Sequence, residues 1–221
     1  MKRCKMKDRG LPRYSQYEEL TNGITHALGI IFGGICLAMC LTKSASTLGL
    51  ISSLIYCISM IAVYTVSTVY HSLPTGRGKK VLQVLDHCTI YTLLAGTYTP
   101  IMMCAFLPNE PAIGWGILAF QWISTVMCIV LNAIDLRRFR IVSMVFYILM
   151  GWIIIFFTPL ALRLLTPGGF YYVLAGGISY TIGAILYGIG SKLPWFHSVF
   201  HVFVLLGSIL QFWGIYQYIL F

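Results

Sequence analysis

The stretch LGLISSLIYCISMIAVYTVSTVY, from Leu48 to Tyr70, runs for 23 residues without a charged side chain. A helix that crosses a hydrocarbon core about 30 Å thick needs about 20 mostly apolar residues. This stretch is long enough, and a histidine, His71, follows it directly. Comparable runs lie on both sides of it. The hydropathy pattern predicts spans over Ile24–Thr42, Leu48–Tyr70, Val81–Leu107, Ile113–Ile134, Ile141–Leu162, Phe170–Ile189 and Phe196–Leu220. Turn-forming clusters separate several of them: Pro74-Thr75-Gly76, Pro108-Asn109-Glu110-Pro111 and Pro167-Gly168-Gly169. Pro100 and Pro159 fall inside spans and are expected to kink them.

Composition agrees with this reading. Of 221 residues, 58% are hydrophobic and 10% are charged, and the mean hydropathy is +0.84. A soluble domain carries about 25% charged residues. An ordinary soluble protein, a disordered chain and a disulfide-stapled secreted module are excluded. The expected fold is all-α: an integral membrane bundle of seven transmembrane helices in the plasma (inner) membrane. Residues 1–23 form a cytoplasmic basic arm with a short interfacial segment, and residues 24–221 form the transmembrane domain. The seven cysteines, Cys4, Cys36, Cys40, Cys57, Cys88, Cys104 and Cys128, include no CxxC pair. Six lie in apolar runs and read as buried, inert thiols. The Gly29-x-x-x-Gly33 and Ala184-x-x-x-Gly188 pairs favour close helix contacts, expected within the bundle rather than between copies.

The basic residues set an orientation. Lys and Arg collect in cytoplasmic loops. The arm holds Lys2, Arg3, Lys5, Lys7, Arg9 and Arg13; later loops hold Arg77, Lys79 and Lys80, then Arg137, Arg138 and Arg140, then Lys192. With seven spans these segments share one side, and only Lys43 and Arg163 fall on the other, thirteen against two. The N-terminus is therefore expected in the cytoplasm and the C-terminus outside, where Phe212, Trp213, Tyr216, Tyr218 and Phe221 suit an aromatic belt. The formal charge of +9 reads as topology signal and anionic-lipid contact, not as nucleic-acid binding.

That topology places all five histidines at one depth. His26 begins span one, His71 ends span two, His87 begins span three beside Asp86, and His197 and His201 begin span seven. Ionisable groups inside a membrane are costly and mark function by default. His197 and His201 are spaced i, i+4, so their Cβ atoms lie about 5–6 Å apart on one face. Two such imidazoles can share a metal at about 2.0–2.1 Å, and His71 could supply a third nitrogen. Three protein ligands with an open fourth position is the pattern of catalytic zinc, and a neutral all-nitrogen set favours Zn2+ over calcium or magnesium. Ser67 lies one turn from His71, and Asp86 could hold a water or accept its proton. Plainer readings exist. His26 and His87 read better as hydrogen-bonded structural residues, Asp86 alone could cap its helix, and Ser67 could bond back to its own helix.

The run Ser67-Thr68-Val69-Tyr70-His71, then Asp86-His87, then Gly96-Thr97-Tyr98-Thr99-Pro100, then His197-Ser198-Val199-Phe200-His201 resembles the hemolysin III family. This is the bacterial branch of the adiponectin and progestin receptor (PAQR) group. Glu19-Leu20-Thr21-Asn22-Gly23-Ile24-Thr25-His26 is similar to that family's start of span one, and the likeness covers the chain from about Glu18 onward. It implies a seven-helix bundle with a cytoplasmic N-terminus. It also implies zinc on His71, His197 and His201, with Asp86 and Ser67 near the zinc water. The wider superfamily includes alkaline ceramidases, which hydrolyse lipid amides. The expected function is a zinc-dependent hydrolase of a lipid amide or ester, with membrane lipids as partners and the substrate entering from the bilayer. A non-enzymatic lipid-state sensor with structural zinc is the alternative. A pore-forming hemolysin ranks below both, because no span alternates polar and apolar residues.

Overall fold

The computed structural model describes residues 10–12, 14–44, 46–190 and 193–220. The arm from Lys2 to Arg9, Cys4, Arg13, Lys192 and Phe221 lie outside the described residues. Among the described residues every regular element is helical: α1 (Gln16–Lys43), α2 (Thr47–Ser72), α3 (Arg77–Pro100), α4 (Pro111–Asp135), α5 (Arg140–Trp152), α6 (Thr158–Gly190) and α7 (Phe196–Tyr218).

Local chemistry explains the boundaries. The predicted interfacial segment and first span are a single helix. Ser15 caps α1 in a capping box: the Glu18 N–H donates to Ser15 Oγ at 3.2 Å, and the Ser15 N–H donates to Glu18 Oε2 at 2.8 Å. Gly23 stands at the junction of segment and span, and the helix continues across it. Pro100 ends α3 and leads into a π-helical turn, Ile101–Phe106. The ring removes one backbone donor, and the wider turn accommodates the misfit. Pro159 does not interrupt a helix as expected. It lies in the first turn of α6, after the 3-10 turn Ile153–Phe157, where a missing N–H leaves no ladder bond broken.

Six helical stretches among the described residues are long and apolar enough to cross a membrane. The fifth, Arg140–Ile189, spans 50 residues and takes in both the fifth and the sixth predicted spans. It is not one rod. Thr166 has φ 59° and ψ 162°, a left-handed φ that a β-branched residue rarely adopts. The following Pro167 also disfavours helical geometry at that position.

The bundle turns apolar side chains outward, as a bilayer requires, and keeps polar ones among the apolar residues of its interior. Ile123, Phe156 and Ile31 are exposed, whereas Ser52, Ser53, Gln121 and Asn132 are buried. Some buried polar groups find partners across helices: the Gln121 amide donates to the Met150 carbonyl at 2.7 Å, and Ser143 Oγ donates to Asn132 Oδ1 at 2.8 Å. Tyr56, Tyr64, Phe106 and Phe212 fill the centre. This is a multi-pass membrane protein.

Antiparallel packing of α1 on α2 positions the site. Gly33 lies against Ile61, Gly29 against Tyr64 and Gly23 against His71, so α1 descends as α2 ascends. The Gly29–Gly33 pair thus works within one chain. A Cβ at Gly29 would lie 2.5 Å from the Tyr64 ring, while one at Gly34 would meet nothing within 4 Å. Gly29→Ala is therefore expected to destabilise the bundle by about 1–3 kcal/mol through overpacking. Gly34→Ala should leave thermal unfolding in detergent unchanged.

Candidate metal centre

The N-terminal ends of α1, α3 and α7 and the C-terminal ends of α2 and α6 meet at one end of the bundle. All five histidines lie there. His71, His197 and His201 are buried, and each offers a ring nitrogen within 4.8 Å of the other two. The Nε2 atoms of His71 and His197 are 3.3 Å apart, and those of His197 and His201 are 3.1 Å apart. Two nitrogens bound to one ion at about 2.0–2.1 Å in tetrahedral geometry stand about 3.3–3.4 Å apart. The spacing therefore fits a common ion.

The outer nitrogens fix the tautomers. His71 Nδ1–H donates to Glu19 Oε2 at 2.7 Å. His201 Nδ1–H donates to the Asn22 backbone carbonyl at 3.2 Å. Each ring then presents an Nε2 lone pair inward, where His197 Nε2 can donate at most one proton. A cation satisfies such a set, and protons alone do not. An outer N–H held by a carboxylate or a carbonyl is the usual support of a metal-binding histidine. The donor set fits a metal ion.

Glu19 is itself held in place. Lys79 Nζ donates to its Oε1 at 2.6 Å and to the Leu73 carbonyl at 3.0 Å. Neighbouring Glu18 closes a second tie, because its Oε1 accepts the Trp195 N–H at 2.7 Å. Trp195 precedes α7 with φ 67°, a strained conformation for a bulky residue. The Glu18 carboxylate anchors that turn and so sets where α7 and its two histidines begin.

Asp86 and Ser67 reach the same neighbourhood. The Asp86 carboxyl lies beside the Ser67 hydroxyl, with the His71 and His87 rings as further neighbours. Ser67 Oγ is buried and makes no hydrogen bond of ordinary geometry. His26 and His87 stand outside the trio. His26 stacks on His201 with ring centroids 3.7 Å apart and planes at 13°. His87 is tied to the protein at both nitrogens: Nδ1–H donates to the Gln83 carbonyl at 2.7 Å, and Nε2 accepts from Tyr187 at 2.9 Å. Tyr14 covers two of the trio, stacked on His197 at 4.8 Å and 18° and tilted over His71 at 5.9 Å. Burial raises its phenol pKa well above the ordinary range, and nearby Tyr70, Tyr187, Glu19 and Asp86 add to the effect.

Glu19, the Asn22 carbonyl and Tyr14 were not singled out in the sequence. Two adjacent carboxylates among only six acids, one turn before Asn22 and two before His26, are the signal that could have drawn attention to Glu19.

A match to the family described as "Haemolysin-III related" covers residues 14–212. The chain belongs to the haemolysin III family. It is similar to Hemolysin-3 of Bacillus cereus, 36% identical over 215 residues, which cover 95% of this chain and 96% of that protein. It is also similar to the Hemolysin-3 homolog of Bacillus subtilis, 33% identical over 204 residues, or 91% and 94% of the two chains. A more distant relative in the family's wider group, the human monocyte to macrophage differentiation factor, is 24% identical over 213 residues, or 92% of this chain and 85% of that one. These alignments run through nearly all of the helices that build the trio.

If Glu19 fixes the His71 tautomer, Glu19→Gln should weaken metal binding about 10–100-fold while the fold persists. Competition titration of the purified protein against a chelator measures this directly.

Proposed function

We propose that this haemolysin III protein is a zinc-dependent hydrolase of a lipid amide or ester, with its site in the cytoplasmic leaflet. The observation that carries the reading is the trio of buried imidazoles at metal-sharing distances, two of them with their outer N–H groups anchored. His71, His197 and His201 would hold the ion, and their neutral nitrogens suit Zn2+. When bound, zinc supplies Lewis-acid chemistry, polarising a carbonyl and lowering the pKa of water toward about 7.

The chain's own groups supply the rest. Asp86, beside the trio and a short distance from Ser67, orients a water and takes its proton as general base. Ser67, with its hydroxyl otherwise uncommitted, donates to the oxyanion that develops or steadies Asp86. His26 lies flat against His201 instead of pointing at the nitrogens, so the protein offers three ligands and leaves a fourth position to substrate. The substrate reaches the site from the bilayer.

Orientation belongs to the same proposal. Seven crossings put thirteen basic residues on the side of the trio and two on the other. The break at Thr166 divides the 50-residue stretch into two lengths of about 25 residues, each suited to a core of about 30 Å. The N-terminus is then cytoplasmic and the C-terminus outside.

A structural-zinc sensor draws on the same trio, which ties α2 to α7. The position of Asp86 favours catalysis, since a purely structural site has no use for an adjacent carboxylate and hydroxyl. The packed aromatic centre weighs against a pore.

Metal analysis should find about one zinc per chain in the wild type and a marked loss in His197→Ala. Purified protein should turn over a lipid amide or ester, and a chelator should abolish that turnover. Asp86→Asn should keep its zinc while turnover falls about 10²–10⁴-fold. Zinc retained with turnover unchanged would assign the centre a structural role. No turnover across a broad lipid panel would overturn the hydrolase reading.

A further inference from the structure

We propose that Tyr14 is a lid on the metal centre, which must swing off His197 before a head group or any other ligand reaches the histidine nitrogens. This inference rests on the metal-centre reading and adds a control of access to it. The Tyr14 ring lies nearly parallel to His197 at 4.8 Å and 5.9 Å from His71. It thus covers two of the three ligand rings.

The other walls of the site are fixed. Tyr187 approaches His197 at 5.7 Å, but it belongs to α6 and its hydroxyl donates to His87. Tyr70 belongs to α2, and Lys79 Nζ stands 5.2 Å from its ring centroid. On the deep side His26 is stacked on His201, and the Tyr64 ring packs edge-on against His26. Tyr14 alone among these aromatics sits outside a helix, immediately before the cap residue Ser15. The capping box and the Glu18–Trp195 bond hold the chain from Ser15 onward. Rotation about the Tyr14 side-chain torsions can therefore lift the ring while the Ser15 capping bonds, Glu19 and the histidines stay in place. The contact is made by a ring face, so the ring matters and the hydroxyl does not.

The test uses the full-length protein in detergent or nanodiscs, loaded with zinc. EDTA extraction is followed with a chromophoric zinc indicator in wild type, Tyr14→Ala and Tyr14→Phe. Tyr14→Ala should release zinc about fivefold faster or more, a factor suited to the loss of one aromatic stack. Tyr14→Phe should match wild type, and all three should hold the same zinc stoichiometry. Equal rates for Tyr14→Ala and wild type overturn the lid.

A second readout needs no metal. Carbethoxylation of His197 by diethyl pyrocarbonate in the apo protein, followed by peptide mass spectrometry, should be faster in Tyr14→Ala than in wild type. Unchanged labelling again overturns the lid. Wild-type protein that takes up no zinc would refute the metal-centre reading, and His197 labelling would then decide the lid independently.

Discussion

Two imidazoles whose lone pairs face a third define this molecule. His71 and His201 each give their outer proton to an oxygen of α1, one to a carboxylate and one to a backbone carbonyl. Their inner nitrogens are thereby committed to a centre that hydrogen bonding alone cannot satisfy. Uncompensated polar atoms in a low-dielectric interior cost several kcal/mol each. Such an arrangement persists where something else is gained, and a shared cation is the compensation the distances fit.

Much of the surrounding architecture serves that convergence. The start of α1 contributes no ligand, yet it orients two of the three histidines and anchors the turn before α7. Glu18 holds the turn before α7, Glu19 holds His71, Asn22 holds His201 and His26 stacks on His201. Lys79 from α3 neutralises Glu19, so the orienting carboxylate does not stand as an isolated charge at the edge of the bilayer. Close α1–α2 packing through Gly29 and Gly33 keeps these groups in register with His71. A change in that contact far from the histidines would still shift the Glu19–His71 bond, because helices transmit displacements as rigid rods.

The trio itself was legible in the sequence, along with Asp86 and Ser67 as its neighbours. The i, i+4 spacing of His197 and His201 puts both on one face of any α-helix. Counting basic loops placed the remaining histidines at the same depth. The helices emerged close to their predicted limits except in three places. Residues 16–23 continue α1 because the capping box starts the helix at Ser15. Pro159 opens a helix instead of bending one. Two expected spans run together around Thr166, where a backbone break, not a polar loop, divides the apolar stretch.

Sequence by itself determined the lengths of the apolar runs, the placing of basic residues between them and the types of ligand available, since each of these is a local property of the chain. Tertiary structure alone decided which face of each helix turns inward, which nitrogens of His71 and His201 face α1 and that Tyr14 covers His197. Those outcomes rest on contacts such as His71 with Glu19, 52 residues apart, and His201 with Asn22, 179 residues apart. No periodicity encodes contacts at such separations; they follow from how the helices rotate and pack against one another.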